Sequence, residues 1–203
     1  MREILPGLFH WTATHPRIKI EVSSYYVLEP GVLVDPLVPS EGLDWFRARR
    51  DPALVILTNR HHYRHCAEFQ QAFGCAVWCN AEGMQEFQAG EKIHPFEVGH
   101  IFPGGIESHP VGAICSDETA LRIPISDGAL AVADGVVRDG DRPLSFVPDA
   151  LIADTPDEVA RVKRELKASY THLLDLDWDH LLCAHGHPWI GGAKQALRAF
   201  LEA

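Results

Sequence analysis

Apolar and polar positions alternate along the first third of the chain in the manner of strands, then switch to helical spacing near the end. Leu8 to Thr14, Ile18 to Leu28 and Val32 to Val34 are β-rich runs punctuated by Pro6-Gly7, His15-Pro16 and Glu29-Pro30-Gly31. A short helix with Leu43, Trp45 and Phe46 is predicted from Ser40. Ala53 to Leu57 is a continuous apolar run, the pattern of a strand covered on both faces. It feeds the segment Thr58-Asn59-Arg60-His61-His62-Tyr63-Arg64-His65. There the spacing of His62, Cys66, Phe69 and Phe73 predicts a helix that Gly74 stops. Cys75 to Cys79 is the next strand, and 80–103 is a mixed connector.

Ile106 to Val111, Ala120 to Ile125 and Ala129 to Ala133 read as three more strands, the last running into Asp134-Gly135. From Thr155 the period becomes helical. Thr155-Pro156-Asp157-Glu158 combines a capping box with proline at the first helical position, and Val159, Val162, Leu166 and Tyr170 form the apolar stripe. Leu181 to Ala184 is a strand ending in His185-Gly186-His187-Pro188. A closing helix carries Ala193, Leu197, Phe200 and Leu201 on one face. No repeat or linker-like stretch divides residues 1–203, so one mixed α/β domain is expected.

Composition narrows the function classes. The 203 residues are 46% hydrophobic and 23% charged, within the globular range. A net charge of −10 argues against general nucleic-acid binding, and no apolar run approaches the roughly 18–20 residues that span a bilayer. With no signal-peptide pattern at the start, a soluble cytoplasmic protein with a small-molecule ligand is expected, with no membrane or nucleic-acid partner. The five cysteines are an odd number without paired metal spacing, and read as buried reduced thiols. Twelve histidines are many for this length, and three of them fall within His61 to His65. Nucleophile-elbow, P-loop and dinucleotide-binding motifs are absent.

Three polar clusters lie at strand ends: residues 58–65, Asp134 and His185. In this order, with the opening hairpin Ser24-Tyr25-Tyr26-Val27-Leu28 and Gly31-Val32-Leu33-Val34-Asp35, the chain resembles the metallo-β-lactamase fold, a four-layer αββα sandwich of hydrolases. Leu130-Ala131-Val132-Ala133-Asp134-Gly135 is similar to that family's strand ending in a metal-bridging Asp. Leu181-Leu182-Cys183-Ala184-His185-Gly186-His187-Pro188 is similar to the late element that supplies the last ligand. The resemblance spans nearly the whole chain and implies that Asp35 steadies the metal loop from behind.

The ligand motif itself departs from the family pattern Thr-His-x-His-x-Asp-His. Aligned on Thr58, the four ligand positions hold Asn59, His61, Tyr63 and Arg64. Shifted by one residue, they hold Arg60, His62, Arg64 and His65. Arg has no lone pair to offer a metal, and Asn and Tyr are poor zinc ligands. His61 and His65 are also i, i+4 neighbours, although His62 stands where a zincin would need its Glu. A later loop ligand of the family is replaced by Ile114, with His109 the nearest imidazole.

The expected metal ligands are therefore Asp134, His185 and some of His61, His62 and His65, sufficient for at most one zinc or iron ion. Asn59, Arg60, Tyr63, Arg64 and Asp117 are expected to shape the pocket or replace metal charge. Arg60 or Arg64 would then neutralise Asp134, and Asp117 would serve as a ligand or as a partner for Arg64. Two function classes follow. One is a hydrolase of a small ester, thioester or amide with a reduced, at most mononuclear site. The other is a metal-free, non-catalytic or repurposed binding protein on the same fold.

Overall fold

The computed structural model describes all 203 residues. Strands β1 (Arg2–Leu5), β2 (Leu8–Thr14), β3 (Glu21–Val27) and β4 (Val32–Val34) form an antiparallel meander. After the one-turn helix α1 (Asp44–Arg47), β5 (Leu54–Ile56) joins β4 in parallel. Helix α2 (Cys66–Phe73), β6 (Ala76–Asn80) and β7 (Ile93–Phe96) complete a seven-stranded sheet in sequential order.

The second sheet begins with β8 (Ile101–Phe102), β9 (Ile106–Pro110), β10 (Thr119–Ile123) and β11 (Ala129–Val132). A two-stranded ribbon of β12 (Val136–Val137) and β13 (Ser145–Phe146) leads to helix α3 (Pro156–Leu173). Then β14 (His180–Cys183) pairs in parallel with β11, and helix α4 (Ala193–Glu202) closes the chain. The five-stranded order is β14-β11-β10-β9-β8.

The layering follows from which side of each strand is apolar, and here most core strands are apolar on both. Along β5, Leu54 and Ile56 join Val32, Val34, Leu121 and Ala131 in the core between the sheets. Val55 and Leu57 turn the other way, onto Phe46 of α1 and Cys66 and Phe69 of α2. In the second sheet Leu130, Val132, Leu181 and Cys183 pack under Val162, Leu166 and Tyr170 of α3 and Leu197 of α4. The result is the four-layer αββα sandwich that the sequence predicts.

Local chemistry sets the helix ends. The Thr155 hydroxyl accepts from Glu158 N–H at 3.3 Å, the first half of the predicted capping box, and donates to the Glu158 carboxylate at 2.8 Å in place of the reciprocal backbone bond. Gly74 ends α2 in the left-handed conformation, φ 67°. No helix is long and apolar enough to cross a membrane. Some strand bounds differ from the alternation. The run from Ile18 pairs only from Glu21, because Ile18 and Ile20 belong to the exposed tip of the β2–β3 hairpin.

Candidate functional site

The chain leaves β5 through the buried residues Leu57, Thr58 and Asn59. Asn59 is extended (φ −153°), and its side-chain oxygen accepts from His61 N–H at 2.9 Å, starting one 3-10 turn over Arg60–Tyr63. Arg64 then takes φ 43°, a left-handed conformation that costs any residue with a Cβ. Helix α2 begins only at Cys66. The sequence predicts a continuous helix carrying His62, and the structure corrects this. The break at Arg64 separates His62 from the α2 stripe and cancels the helical relation between His61 and His65.

Strand register delivers the other two residues. In the parallel pair β11–β14, Val132 lies opposite Cys183. Asp134 and His185 each follow two residues later, so they emerge side by side. The turn at His185 needs Gly186, whose φ is 94° and whose missing Cβ would fall 1.7 Å from the Arg138 carbonyl. Arg138 N–H donates to the His185 carbonyl at 3.3 Å and fixes the loop from the β12 side.

His62, Asp134 and His185 meet, with their donor atoms all within 4.8 Å of one another. Asp134 Oδ1 lies 3.1 Å from His62 Nε2 and 2.9 Å from His185 Nε2. The other carboxylate oxygen accepts from Asn59 Nδ2 at 2.7 Å. Behind the cluster, Asp35 lies 2.9 Å from His62 Nδ1 and also accepts from Thr58 N–H at 2.9 Å and Thr58 Oγ1 at 2.5 Å. Parallel pairing of Val34 with Ile56 brings Asp35 and Thr58 together at the strand ends.

These contacts govern the charges. Burial disfavours a charged His62, but the Asp35 and Asp134 carboxylates on its two nitrogens overcome it and lift the imidazole to about 9. Burial likewise opposes ionisation of Asp134, yet His62 and His185 hold it well below the carboxylate range. Asp35 is lowered too: burial works against ionisation, and His62, Arg64 and Thr58 outweigh it. Glu118 has no such cation in contact. Burial first, and then the charge of Asp134, push it up to about 7 while it accepts from Gly135 N–H at 2.9 Å.

The remaining predicted residues divide clearly. His61 is exposed at the cleft, outside the three-residue cluster. His65 turns away, its Nδ1 accepting from Val38 N–H at 3.0 Å. Arg60 does not neutralise Asp134. Its guanidinium pairs with buried Asp117, whose other oxygen accepts from Arg60 N–H at 2.5 Å. Asp117 is thereby engaged by Arg60 and not by the expected Arg64. Gly83 leaves room for this pair, since a Cβ there would sit 2.8 Å from Asp117 Oδ2. Tyr63 packs on Phe87 with ring centroids 5.7 Å apart. Arg64 donates from Nη1 to the Ser23 and Asp35 carbonyls at 2.7 and 2.6 Å.

His109 and Ile114 stay outside the cluster, His109 on β9 and Ile114 against the α3–α4 core. Cys66 and Cys183 are fully buried, and burial pushes the Cys183 thiol up to about 12, so neither is a poised nucleophile. Reading the sequence alone passes over His15 and Glu118. His15 lines the cleft from the β2–β3 hairpin, and Glu118 backs the Asp134 loop from β10's approach. Pro16 beside His15 marks a turn, and Thr119 after Glu118 begins a strand, but neither carries any sign of these tertiary neighbours.

The cluster forms the floor of a cleft of about 630 Å³, walled by the 15–18 hairpin, the 60–64 segment and Phe87. Two imidazoles and a carboxylate suit one zinc or iron ion with positions left open. Donors of one tetrahedral zinc stand about 3.3 Å apart when bonds are about 2.0 Å. The 2.9 and 3.1 Å separations at Asp134 Oδ1 are close to that spacing. Asp35 on the far nitrogen of His62 is the outer carboxylate that orients many metal-ligating histidines. With the two imidazoles also within 4.8 Å of each other, the donor types and their spacing admit one ion.

No family model matches the chain, and no curated protein sequence matches it either. Solved structures do. A metallo-β-lactamase family protein of Thermus thermophilus matches with TM-score 0.69 at 16% identity, over 98% of this chain and 80% of that one. A protein solved in a di-iron-bound form matches with TM-score 0.66 at 18% identity, over 92% and 96%. A B3 metallo-β-lactamase described by its active-site glutamic acid matches with TM-score 0.61 at 16% identity, over 89% and 80%. Element order, layering and these likenesses agree: the chain has the metallo-β-lactamase fold.

Proposed function

We propose that the protein is a metal-dependent hydrolase acting on a small ester, thioester or amide, with one zinc or iron ion held by His62, Asp134 and His185. The observation that carries this reading is the convergence of three donors from three separate segments on the floor of an open cleft. When bound, the ion supplies carbonyl polarisation and water activation. The chain's own groups do the positioning. Asp35 accepts a hydrogen bond from Nδ1–H of His62, which would leave Nε2 as the nitrogen facing the ion once its own proton is displaced. Asn59 holds one oxygen of Asp134 and leaves Oδ1 toward the imidazoles. His185 is set by the Gly186 turn.

A second ion finds little support. Arg60 is committed to Asp117, Tyr63 to Phe87, and Arg64 to backbone carbonyls. The test is elemental analysis of purified protein after dialysis, joined to a hydrolysis screen of small esters, thioesters and amides. One equivalent of zinc or iron with chelator-sensitive turnover is expected. Two retained equivalents would overturn the mononuclear assignment. No bound metal after loading with zinc or ferrous iron would favour the metal-free binding protein, in which Asp134 simply accepts hydrogen bonds from two imidazoles.

A further inference from the structure

The two imidazoles of the cluster are held differently. His62 has a carboxylate at each nitrogen, Asp35 behind and Asp134 in front. His185 meets Asp134 through Nε2, and no carboxylate stands behind it. Its posture depends on the loop that carries it, and that loop is gripped by Ser23 of β3. The backbone N–H of Ser23 donates to the Ala184 carbonyl at 2.9 Å, and the Ser23 hydroxyl donates to the Gly186 carbonyl at 2.7 Å. One residue thus holds both chain neighbours of His185. Strand β3 belongs to the seven-stranded sheet and β14 to the five-stranded one, so the grip crosses from one sheet to the other. The Ser23 carbonyl accepts from Arg64 at 2.7 Å, which ties the same residue to the segment presenting His62.

A second residue fixes the hydroxyl. A carbonyl can only accept, so the single hydroxyl proton of Ser23 points at Gly186, and its oxygen is the acceptor for His10 Nε2, 2.9 Å away. His10 therefore carries a proton on Nε2. Its ring stacks on Tyr25 with centroids 5.1 Å apart, and Tyr25 in turn donates to the Cys183 carbonyl at 2.7 Å. Ser23 is completely buried, and both roles of its hydroxyl are filled. We propose that Ser23, oriented by His10, is the positioning residue for His185, as Asp35 is for His62. The proposal rests on the metal site of the hydrolase reading and reaches it through side chains outside the donor cluster. Neighbours that orient a metal ligand typically change metal affinity by about tenfold to a hundredfold.

The experiment compares wild type with Ser23→Ala, His10→Phe, His10→Gln and Tyr25→Phe. Zinc affinity is read by competition with a chelator. Crystal structures of chelator-treated wild type, Ser23→Ala and His10→Phe give the separation of His185 Nε2 from Asp134. Ser23→Ala should lose about tenfold or more in zinc affinity, with the His185 ring displaced from Asp134. His10→Phe keeps the stack on Tyr25 but removes the N–H, so it should lose less, and His10→Gln, which can still donate, should recover the loss. Tyr25→Phe removes a buried hydrogen bond from the same strand end, but one made to Cys183 and not to a neighbour of His185. It should lower the melting temperature and leave zinc affinity unchanged.

A His185 ring unmoved in Ser23→Ala, or zinc affinity unchanged there, would overturn the proposal. Should that variant fail to fold, the same result in His10→Phe would overturn it. An equal loss of zinc affinity in Tyr25→Phe would mean that any loosening of the strand end weakens the site, and Ser23 would have no special part. If wild type binds no zinc, the metal reading falls, and the proposal is decided by the separation of His185 from Asp134 in the chelator-treated structures.

Discussion

Two carboxylates a short way apart in this protein are held in opposite ways. Asp117 is completely buried and faces a guanidinium, a cation that cannot give up its proton. Asp134 keeps a quarter of its side chain exposed and faces two imidazoles, which can. The first arrangement is closed: charge meets charge, Gly83 makes room for it, and no group is left to coordinate anything. The second is open. If the imidazoles shed their protons, the same three side chains become donors for a cation without moving far. The residues that separate the two cases, Arg60 and His62, are two positions apart in the sequence.

The closed pair should be the larger contributor to stability. Removing one partner of a buried ion pair leaves the other uncompensated, at about 3–5 kcal/mol, and the partial exposure of Arg60 argues for the lower end. Arg60→Met should therefore lower the melting temperature strongly, with or without zinc, and leave zinc affinity unchanged. Chemical denaturation of wild type and variant measures this. A loss that appears only when zinc is present would mean that Asp117 takes part in metal binding and that the two carboxylates are not distinct.

The open cluster should show itself through zinc instead. Ligand that binds only the native state at about a hundred times its dissociation constant adds about 2.7 kcal/mol. Wild type should gain this on zinc addition and lose it with chelator. Asp134→Asn replaces the anionic donor with a neutral amide and should gain little. If both proteins respond equally in melting curves, Asp134 is not a ligand and the site has been misassigned. A lower midpoint for Asp134→Asn with no zinc response in either protein would favour the metal-free cluster.

The same contrast explains what could be read from sequence. Period-two alternation, the apolar run 53–57, the capping box at Thr155 and the stop at Gly74 are local signals, and the four layers follow from them. Asp134 and His185 are legible because each sits at a fixed distance beyond a recognisable strand. His62 is not separable from His61 and His65 by spacing, since helical periodicity assumes a helix that Arg64 breaks with φ 43°. That break is stabilised by carbonyls of Ser23 and Asp35, which lie far away in sequence. Arg60 likewise takes the Asp117 expected to face Arg64, and Arg64 turns to backbone carbonyls, because Asp117 arrives from the β9–β10 loop, a tertiary placement that leaves no periodic trace.

The smallest effect concerns the carboxylate standing behind the open cluster. Glu118 accepts from Gly135 N–H, and its other oxygen is buried without a partner. Burial and the nearby Asp134 charge raise it from the ordinary 4.5 to about 7. Between those two values the native protein holds a proton that the unfolded chain has released, so stability declines as pH rises through the window. Glu118→Gln removes the titration but keeps an oxygen for Gly135. In chelator-treated protein, wild type should lose about 1 kcal/mol more than the variant between pH 6 and pH 7. That is a discounted share of the roughly 1.4 kcal/mol that one retained proton is worth over a tenfold fall in proton concentration. Denaturant titrations at both pH values measure the difference. Parallel losses would mean that Glu118 is already ionised in the native protein, with its second oxygen satisfied by water. The region behind Asp134 would then be as wet as the cleft in front of it.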